Sequence, residues 1–526
     1  MRASTRTTIV FLASLIAYVS VNSLVRALNP SAFIWFEEDK EENQWIATSN
    51  SWFDRKACRW LGLCGVAHYK GRFGHRPSHD GVDPEPGDDI DVDWRQAWTS
   101  ETEQPALWSE GERQLRRIPD YVLQYAPLVH LFSDEQFWPC DIAEHLSHIT
   151  PYLNYTPIKA SWDHPTLRDL NKLNYWDKGR YVFLTSNDDV ESRPPWLGGE
   201  KNIPVPVEVA EGYPQAESDN GNDNAWNVQS GEDSDGINPM QLQNGGIVHS
   251  SGVQRAKRSP EWSSSQAEPL EQNSVGDFNY RRVGGRSDAP AVLIVVDKGD
   301  GIVDAFWFYF YSFNLGNVVF KVRFGNHVGD WEHSLVRFHN GEPKAVYFSE
   351  HSSGEAYSYE AVEKIGKRPV IYSAEGTHAM YASPGTHAYI LPWGLLHDRT
   401  NRGPLWDPAL NFHAYTYDFR NDTLRASTIT PHAPLEWFYY SGHWGDKFYP
   451  LSDKRQYRFA GQYHYVNGPL GPRFKNLGRR NVCQGSDEKP CVIREEVDLK
   501  PKAKRWWYVG EGEEMSLNDY AQLLNE

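Results

Sequence analysis

Positive charge is what this sequence has least of. Its 53 Lys and Arg stand against 70 Asp and Glu, giving a formal net charge of −17 in 526 residues. A chain this acidic offers no basic face to a phosphate backbone, which excludes nucleic acid as a partner. Protein partners leave no signature in the composition. The HExxH, GxSxG and P-loop motifs are absent too, so no motif-defined metalloprotease, serine hydrolase or nucleotide enzyme is present. Internal repeats are missing and helical periodicity is scarce. Short apolar runs punctuated by Gly, Pro and Asn recur instead. The fold class they predict is mainly β, an antiparallel β-sandwich with short peripheral helices.

The N-terminus is the one long apolar run. Arg2 and Arg6 precede TIVFLASLIAYVSVNSLVRA, residues 8–27, and a spanning helix needs roughly 20 mostly apolar residues. Residues 1–29 are therefore a signal anchor, or a signal peptide cleaved after Ala27, with a buried helix as the remaining reading. The basic residues before the run place the N-terminus in the cytosol. This predicts a single-pass endomembrane or vacuolar membrane protein with its bulk in the lumen, secreted if the leader is cleaved. Cysteine usage agrees: Cys58 with Cys64 and Cys483 with Cys491 form two close pairs suited to disulfides, and Cys140 is left over as a buried thiol. Asn154-Tyr155-Thr156 and Asn421-Asp422-Thr423 are N-glycosylation acceptors, making Asn154 and Asn421 candidate glycan sites.

Residues 30–118 read as a loosely structured stem, with a helix over 108–118. A β-sandwich domain begins at 119–205, with a strand around Val129, Leu131 and Phe132 and a helix over 139–148. Residues 206–288 are polar and poor in β-branched and aromatic side chains, which predicts a disordered insertion. Arg255-Ala256-Lys257-Arg258 within it is a processing site or a solvated basic patch. The domain resumes over 289–467, with strands expected at Ala291–Val296, Asp304–Phe313, 330–338, 344–350, 369–373 and 413–418. Residues 468–526 read as a peripheral C-terminal tail.

One nonapeptide carries chemistry. GNHVGDWEH, residues 325–333, packs two histidines and two carboxylates together. On a strand, side chains alternate, so Asp330, Glu332, Ser334, Val336 and Phe338 face one way and Trp331, His333, Leu335 and Arg337 the other. Two neighbouring carboxylates raise each other's pKa unless a cation intervenes. Gly329 permits a turn that would bring His327 toward them. His327, Asp330 and Glu332 are thus a candidate divalent-metal set. Its oxygen-rich ligation suits Mg²⁺, Mn²⁺ or Ca²⁺ better than Zn²⁺. The competing reading is a solvated strand edge with Trp331 in the core.

HVGDWEH, AVYFSEHSSG (345–354) and RPVIYSAEGTHAMYASPGTHAYI (368–390) together resemble the vacuolar protein sorting-associated protein 62 family of fungi, over roughly 119–200 and 289–465. That resemblance implies a role in vacuolar protein sorting without an established catalytic activity. A more distant motif likeness is to the necrosis- and ethylene-inducing peptide-like toxins, whose GHRHDWE follows an aromatic strand, here FWFYFYSFN (306–314). It implies a β-sandwich holding a divalent metal and taking a sphingolipid sugar head group. Its three ligands fall on His327, Asp330 and Glu332. Two departures stand out: Asn314 and Asn317 replace a further aspartate, and Gly329 replaces the second histidine.

Eleven of the nineteen histidines lie between 327 and 464. His351 and His378, with Asn314, are candidates for groups supporting the metal site; Glu375 and His387 are weaker ones, and each histidine is alternatively a structural residue. The function these features predict is a non-enzymatic, membrane-associated sorting protein binding a glycan or lipid head group. Trp393, Trp406 and Trp444 would offer stacking faces. The competing function is a metal-dependent hydrolase of a phosphoester or glycolipid. A structural ectodomain whose metal clips loops together is the third.

Overall fold

The computed structural model describes residues 37–69, 93–100, 104–158, 164–206, 284–351, 353–389, 396–485, 488 and 490–497, with isolated positions between 13 and 21. The apolar leader lies almost wholly outside the described residues. So do the polar insertion, the 255–258 basic run, Trp393 and the segment after 497. Among the described residues no helix is long and apolar enough to cross a membrane. The membrane-spanning helix expected at the N-terminus falls on that leader, outside the described residues.

Strands dominate, as the alternating apolar pattern requires. The principal ones are, in chain order, β1 (Leu128–His130), β2 (Ala291–Gly299), β3 (Ile302–Asn314), β4 (His327–His339), β5 (Glu342–Glu350), β6 (Ser353–Ser358), β7 (Arg368–Ser373), β8 (Met380–Tyr381), β9 (His397–Thr400), β10 (Leu405–Trp406), β11 (Phe412–Asp418) and β12 (Thr423–Ala426). A central eight-stranded sheet has the order β12-β11-β2-β3-β4-β5-β6, closed at its far edge by Ile493–Arg494. A second sheet runs from Lys364–Ile365 through β7, β1 and β10 to Gly285–Arg286 and Val205–Pro206, with β8 paired to β7.

The central sheet is covered on both faces, which is why β2 reads as an unbroken AVLIVV rather than an alternation. Val292, Ile294 and Val296 pack into one cluster with Phe306, Phe308, Phe310, Trp331 and Leu335. That layer is completed by Leu146, Ile149, Leu170, Val182, Trp437 and Trp444. Ala291, Leu293 and Val295 pack the other way with Trp307, Tyr309, Tyr311, Val336 and Phe338, against Val129, Ile371, Met380 and Trp406 of the second sheet. The cross-sheet neighbours confirm the expected alternation along 330–338. Burial of each such apolar side chain is worth about 1.5–3 kcal/mol.

Several expectations need correction. The sheets are mixed rather than antiparallel: β11 runs parallel to β2, β7 to β1, β6 to Ile493–Arg494, and β10 to Gly285–Arg286. The chain leaves the central sheet after β6, builds part of the second, and re-enters at β11. Long connections of that kind allow parallel pairing. The helix expected over 108–118 is instead Glu110–Leu115 followed by Asp120–Gln124. Pro119 supplies the break, since it disfavours helical backbone in the residue before it. Residues 139–148 contain the shorter helix Ile142–Ser147, capped by the Asp141 side chain.

Neither flank is as loose as its composition suggests. Helices Glu37–Ala47 and Trp52–Leu61 dock on the body, where Trp45, Ile46, Cys58 and Cys64 surround Leu451 and Arg458 pairs with Glu42 at 2.6 Å. Cys58 and Cys64 form a disulfide, as do Cys483 and Cys491; Cys140 is a buried free thiol. Past Gly468 the chain still feeds the core through Leu477 and Val482, and Arg479 is fully buried. That arginine holds its guanidinium over Phe306 and Tyr347, so this part is no peripheral tail.

Candidate functional site

The nonapeptide opens β4, the strand next to the aromatic β3. In register, His327 faces Asn314, Asp330 faces Tyr311 and Glu332 faces Tyr309. Asp330 and Glu332 point toward the second sheet and are both 5% exposed. Gly329 has φ +68°, and a Cβ there would lie 1.9 Å from the Trp444 carbonyl oxygen. The position therefore demands glycine on two grounds, conformation and close backbone approach.

Asp330 is held by a histidine from far along the chain. His378, fully buried, donates from Nδ1 to Asp330 Oδ2 at 2.9 Å and from Nε2 to the Phe137 carbonyl at 2.9 Å. Its ring lies flat on Tyr311, with centroids 3.7 Å apart. Glu135 stands 3.9 Å from Nε2. Burial opposes the charge, but the Asp330 hydrogen bond and the Glu135 and Asp330 carboxylates outweigh it and raise the imidazole pKa. Acceptors at both ring nitrogens favour the imidazolium in the same direction, because neutral imidazole has only one N–H. Glu135 in turn accepts from the Gly376, Gln136 and Phe137 backbone N–H groups, which ties β1's loop to the turn carrying His378.

Glu332 lacks such a cation. Burial first, and then the Asp330 charge, push its pKa well up. The Ser349 hydroxyl donates to Oε2 while accepting the His333 backbone N–H. His333 points away from both carboxylates, among Phe306, Phe308 and Tyr347. Burial, aided by Arg479 and Lys475, keeps it neutral.

A second buried network lies alongside. Asp398, on β9, accepts from Asn317 Nδ2 at 2.7 Å, Thr377 Oγ1 at 2.9 Å, Tyr381 OH at 2.6 Å and His351 Nε2 at 2.7 Å. Burial disfavours its charge, yet His351, Tyr381 and Asn317 bring its pKa down to about 2. His351 moves the opposite way: burial lowers its pKa, the Asp398 carboxylate more than restores it, and the net shift is upward.

Each candidate metal ligand is engaged by a protein group. His327 Nδ1 is 2.6 Å from the Gly329 carbonyl, Asp330 Oδ2 is taken by His378, and Glu332 by Ser349. Among the described residues no three His, Cys, Asp or Glu side chains form a set that could hold a metal ion. Asn314 does not face such a set either, since its amide donates to the Gly325 carbonyl at 2.8 Å. Glu375 pairs with Arg399 at the surface, and His387 stacks on Tyr381 at 3.8 Å.

The histidine excess is largely a packing feature. His413 stacks on Trp98, His443 on Phe183 and His464 on Tyr457, and burial drops His413 to a pKa of about 3. Trp406 and Trp444 are 1% and 0% exposed, so they fill the core and offer no stacking face. Of the two glycan acceptors, Asn421 is exposed, whereas Asn154 is half-buried and accepts a hydrogen bond from Lys447. Sequence reasoning missed Glu135 and Asp398, which lie outside the family motifs, and Ser349, which lies within AVYFSEHSSG but carries no charge to mark it. An acid set close to apolar runs could have flagged Glu135 and Asp398; nothing local marks Ser349.

The family model for vacuolar protein sorting-associated protein 62 matches residues 298–458, which span β3 through β12 and hold both networks except the 135–137 loop. Vacuolar protein sorting-associated protein 62 of Saccharomyces cerevisiae is 34% identical over 412 residues, covering 72% of this chain and 71% of that protein. A second protein of the same yeast, TDA6, is 36% identical over 420 residues, covering 73% and 71%. Among solved structures, Necrosis and Ethylene inducing Protein 2 from the agent of cocoa's Witches Broom disease shares 16% identity at a TM-score of 0.15, over 18% of this chain and 45% of its own. NLPPya in complex with glucosamine shares 10% at a TM-score of 0.15, over 27% and 55%. Those two likenesses are local and bear no weight here. The two yeast proteins, alike over most of their length and of this one, show that the chain belongs to the vacuolar protein sorting-associated protein 62 family.

Proposed function

We propose that the protein acts in vacuolar protein sorting, by binding rather than by catalysis, from the lumenal side of an endomembrane or the vacuole. The observation that carries this reading is the family relation to a yeast sorting protein over 72% of the chain. The site supports the non-catalytic half. His378, Asp330 and Asp398 are buried and bonded to protein groups, so their charges lock loops to strands instead of meeting a substrate. The leader, the disulfides and the glycan acceptors motivate the lumenal placement.

The test is cellular. Deleting the gene should send a vacuolar hydrolase into the medium, and the wild-type chain should restore its retention. Normal hydrolase retention in the deletion strain would sink the reading.

A second reading keeps a divalent cation, Mg²⁺, Mn²⁺ or Ca²⁺, at His327, Asp330 and Glu332. It would engage a glycan or sphingolipid head group there, or, in its enzymatic version, support hydrolysis of a phosphoester or glycolipid. What favours it is the Glu332–Asp330 repulsion, which a cation would relieve. Elemental analysis of wild type beside Asp330→Ala decides it. One equivalent of metal lost in the variant supports a metal site; none in either leaves the cluster to the fold.

A further inference from the structure

Opposite the acidic cluster, the central sheet ends in a pocket of a different kind. Thr416 on β11 lies beside Val295 on β2, Val296 faces Asp304 on β3, and Asp304 faces Arg337 on β4. Tyr417 is thus level with Arg337, about 23 Å along the strand from Asp330 at the usual rise per residue. Beyond it opens a cavity of about 480 Å³.

Lys178, Arg180 and Arg473 line that cavity against one carboxylate, Asp422, in a chain whose net charge is −17. Tyr417, Phe419 and Phe474 supply aromatic walls, and Ser441 adds a hydroxyl. Arg473 is held in place, with its Nε 3.3 Å from Asp422 Oδ1 and Nη2 on the other carboxylate oxygen. Tyr417 OH also donates to Asp422, at 2.8 Å. Lys178 is exposed. It and Asp177 both adopt left-handed backbone, with φ +56° and +49°. Left-handed backbone is unfavourable for each of these two successive non-glycine residues. Such strain persists where surrounding structure imposes it, and it concentrates at ligand-holding sites. Nearby, Asn174 bridges the Tyr439 carbonyl and the Ser441 N–H, tying this segment to the pocket wall.

We propose that this pocket binds a phosphorylated sugar or polyol ring. Guanidinium and ammonium groups recognise phosphate oxygens, the aromatic walls give the ring a dry face, and Asp422 and Ser441 are placed to take its hydroxyls. The chemistry is shared by a phosphorylated glycan on a cargo protein and by a phosphoinositol lipid head group. Tyr175, Trp176 and Tyr181 are 87%, 40% and 45% exposed in the same segment as Lys178 and Arg180. Exposed Trp and Tyr beside cations are what a membrane interface takes up.

The experiment uses the full-length chain freed of N-glycans, so that no glycan on Asn421 can fill the pocket. Calorimetry with mannose phosphate, with mannose and with inorganic phosphate measures the ring and anion contributions. Flotation with phosphatidylcholine vesicles, plain or carrying phosphatidylinositol, separates the two sources. Mannose phosphate should bind more tightly than either fragment, and Lys178→Asn, which tolerates left-handed backbone, and Arg473→Gln should each weaken it about fivefold or more. Flotation only with phosphatidylinositol, lost in both variants, would assign the lipid source; binding of free ligand alone would assign the glycan source. No binding of any probe overturns the proposal. So does equal binding of inorganic phosphate, or unchanged affinity in both variants while their melting curves match wild type.

Discussion

The two ends of the central sheet use charge in opposite ways. At the start of β4, acids and histidines are buried and bonded to one another, and His378 supplies the compensating positive charge from inside the fold. At the far end, Arg473 is 30% exposed and Lys178 lies in solvent. There the cations face a cavity. A charge buried with its partner costs several kcal/mol if the partner is removed, whereas a half-exposed pair is worth little to stability and stays available to a ligand. The difference separates a lock from a docking point, although both ends look equally polar in composition.

Breaking the acidic end should cost most. Asp398→Ala leaves His351, Tyr381, Thr377 and Asn317 without their acceptor, and is expected to lower stability by about 3–5 kcal/mol in chemical denaturation. A loss below about 1 kcal/mol would show that the network is not a lock. Gly329→Ala forces a Cβ against the Trp444 carbonyl at positive φ. It should cost about 2–4 kcal/mol, read as a lowered denaturation midpoint with unchanged slope.

Acid provides a subtler break. Asp398 titrates near 2 in the fold, against an ordinary value of 3.8. Its contribution of about 2 kcal/mol is therefore fully present above pH 3.8 and lost as pH falls toward 2. The raised His351 contributes in the other direction, with stability present below its ordinary value of 6.5 and lost as pH rises through its higher folded value. Wild type should thus be more stable near pH 5 than near pH 2, and Asp398→Asn should flatten that acid limb. An acid limb unchanged in the variant would place the titration elsewhere. Arg473→Gln at the basic end should change stability least, by less than about 1 kcal/mol; a larger loss would make Arg473 a structural residue and erase the contrast.

Much of the architecture follows from local pattern. AVLIVV and FWFYFY are too apolar for a sheet with a wet face, and β2 and β3 are covered on both sides. The two-residue alternation along DWEHSLVRF separates Asp330 and Glu332 from His333 without any tertiary knowledge. Short-range pairing of Cys58 with Cys64 and Cys483 with Cys491 is equally local. Parallel pairing of β11 with β2 was not legible, because it depends on where a long connection re-enters the sheet. Nor was the docking of residues 37–69, whose Trp45 and Ile46 meet Leu451 some 400 positions on.

The candidate site divides the same way. Sequence alone determined that Asp330 and Glu332 share one face at the head of a strand, since spacing on a strand sets the face, and that Gly329 permits a turn bringing His327 toward them. Whether they would meet a metal, a substrate or one another depends on groups that only folding brings in: His378 from a left-handed turn, Glu135 from the loop after β1, Ser349 from β5 and Asp398 from β9. The same holds for the pocket at the other end, assembled from residues 178–180, 417–422, 441 and 473–474. Nearest-neighbour chemistry is written along the chain; the partner of a buried charge is chosen in space.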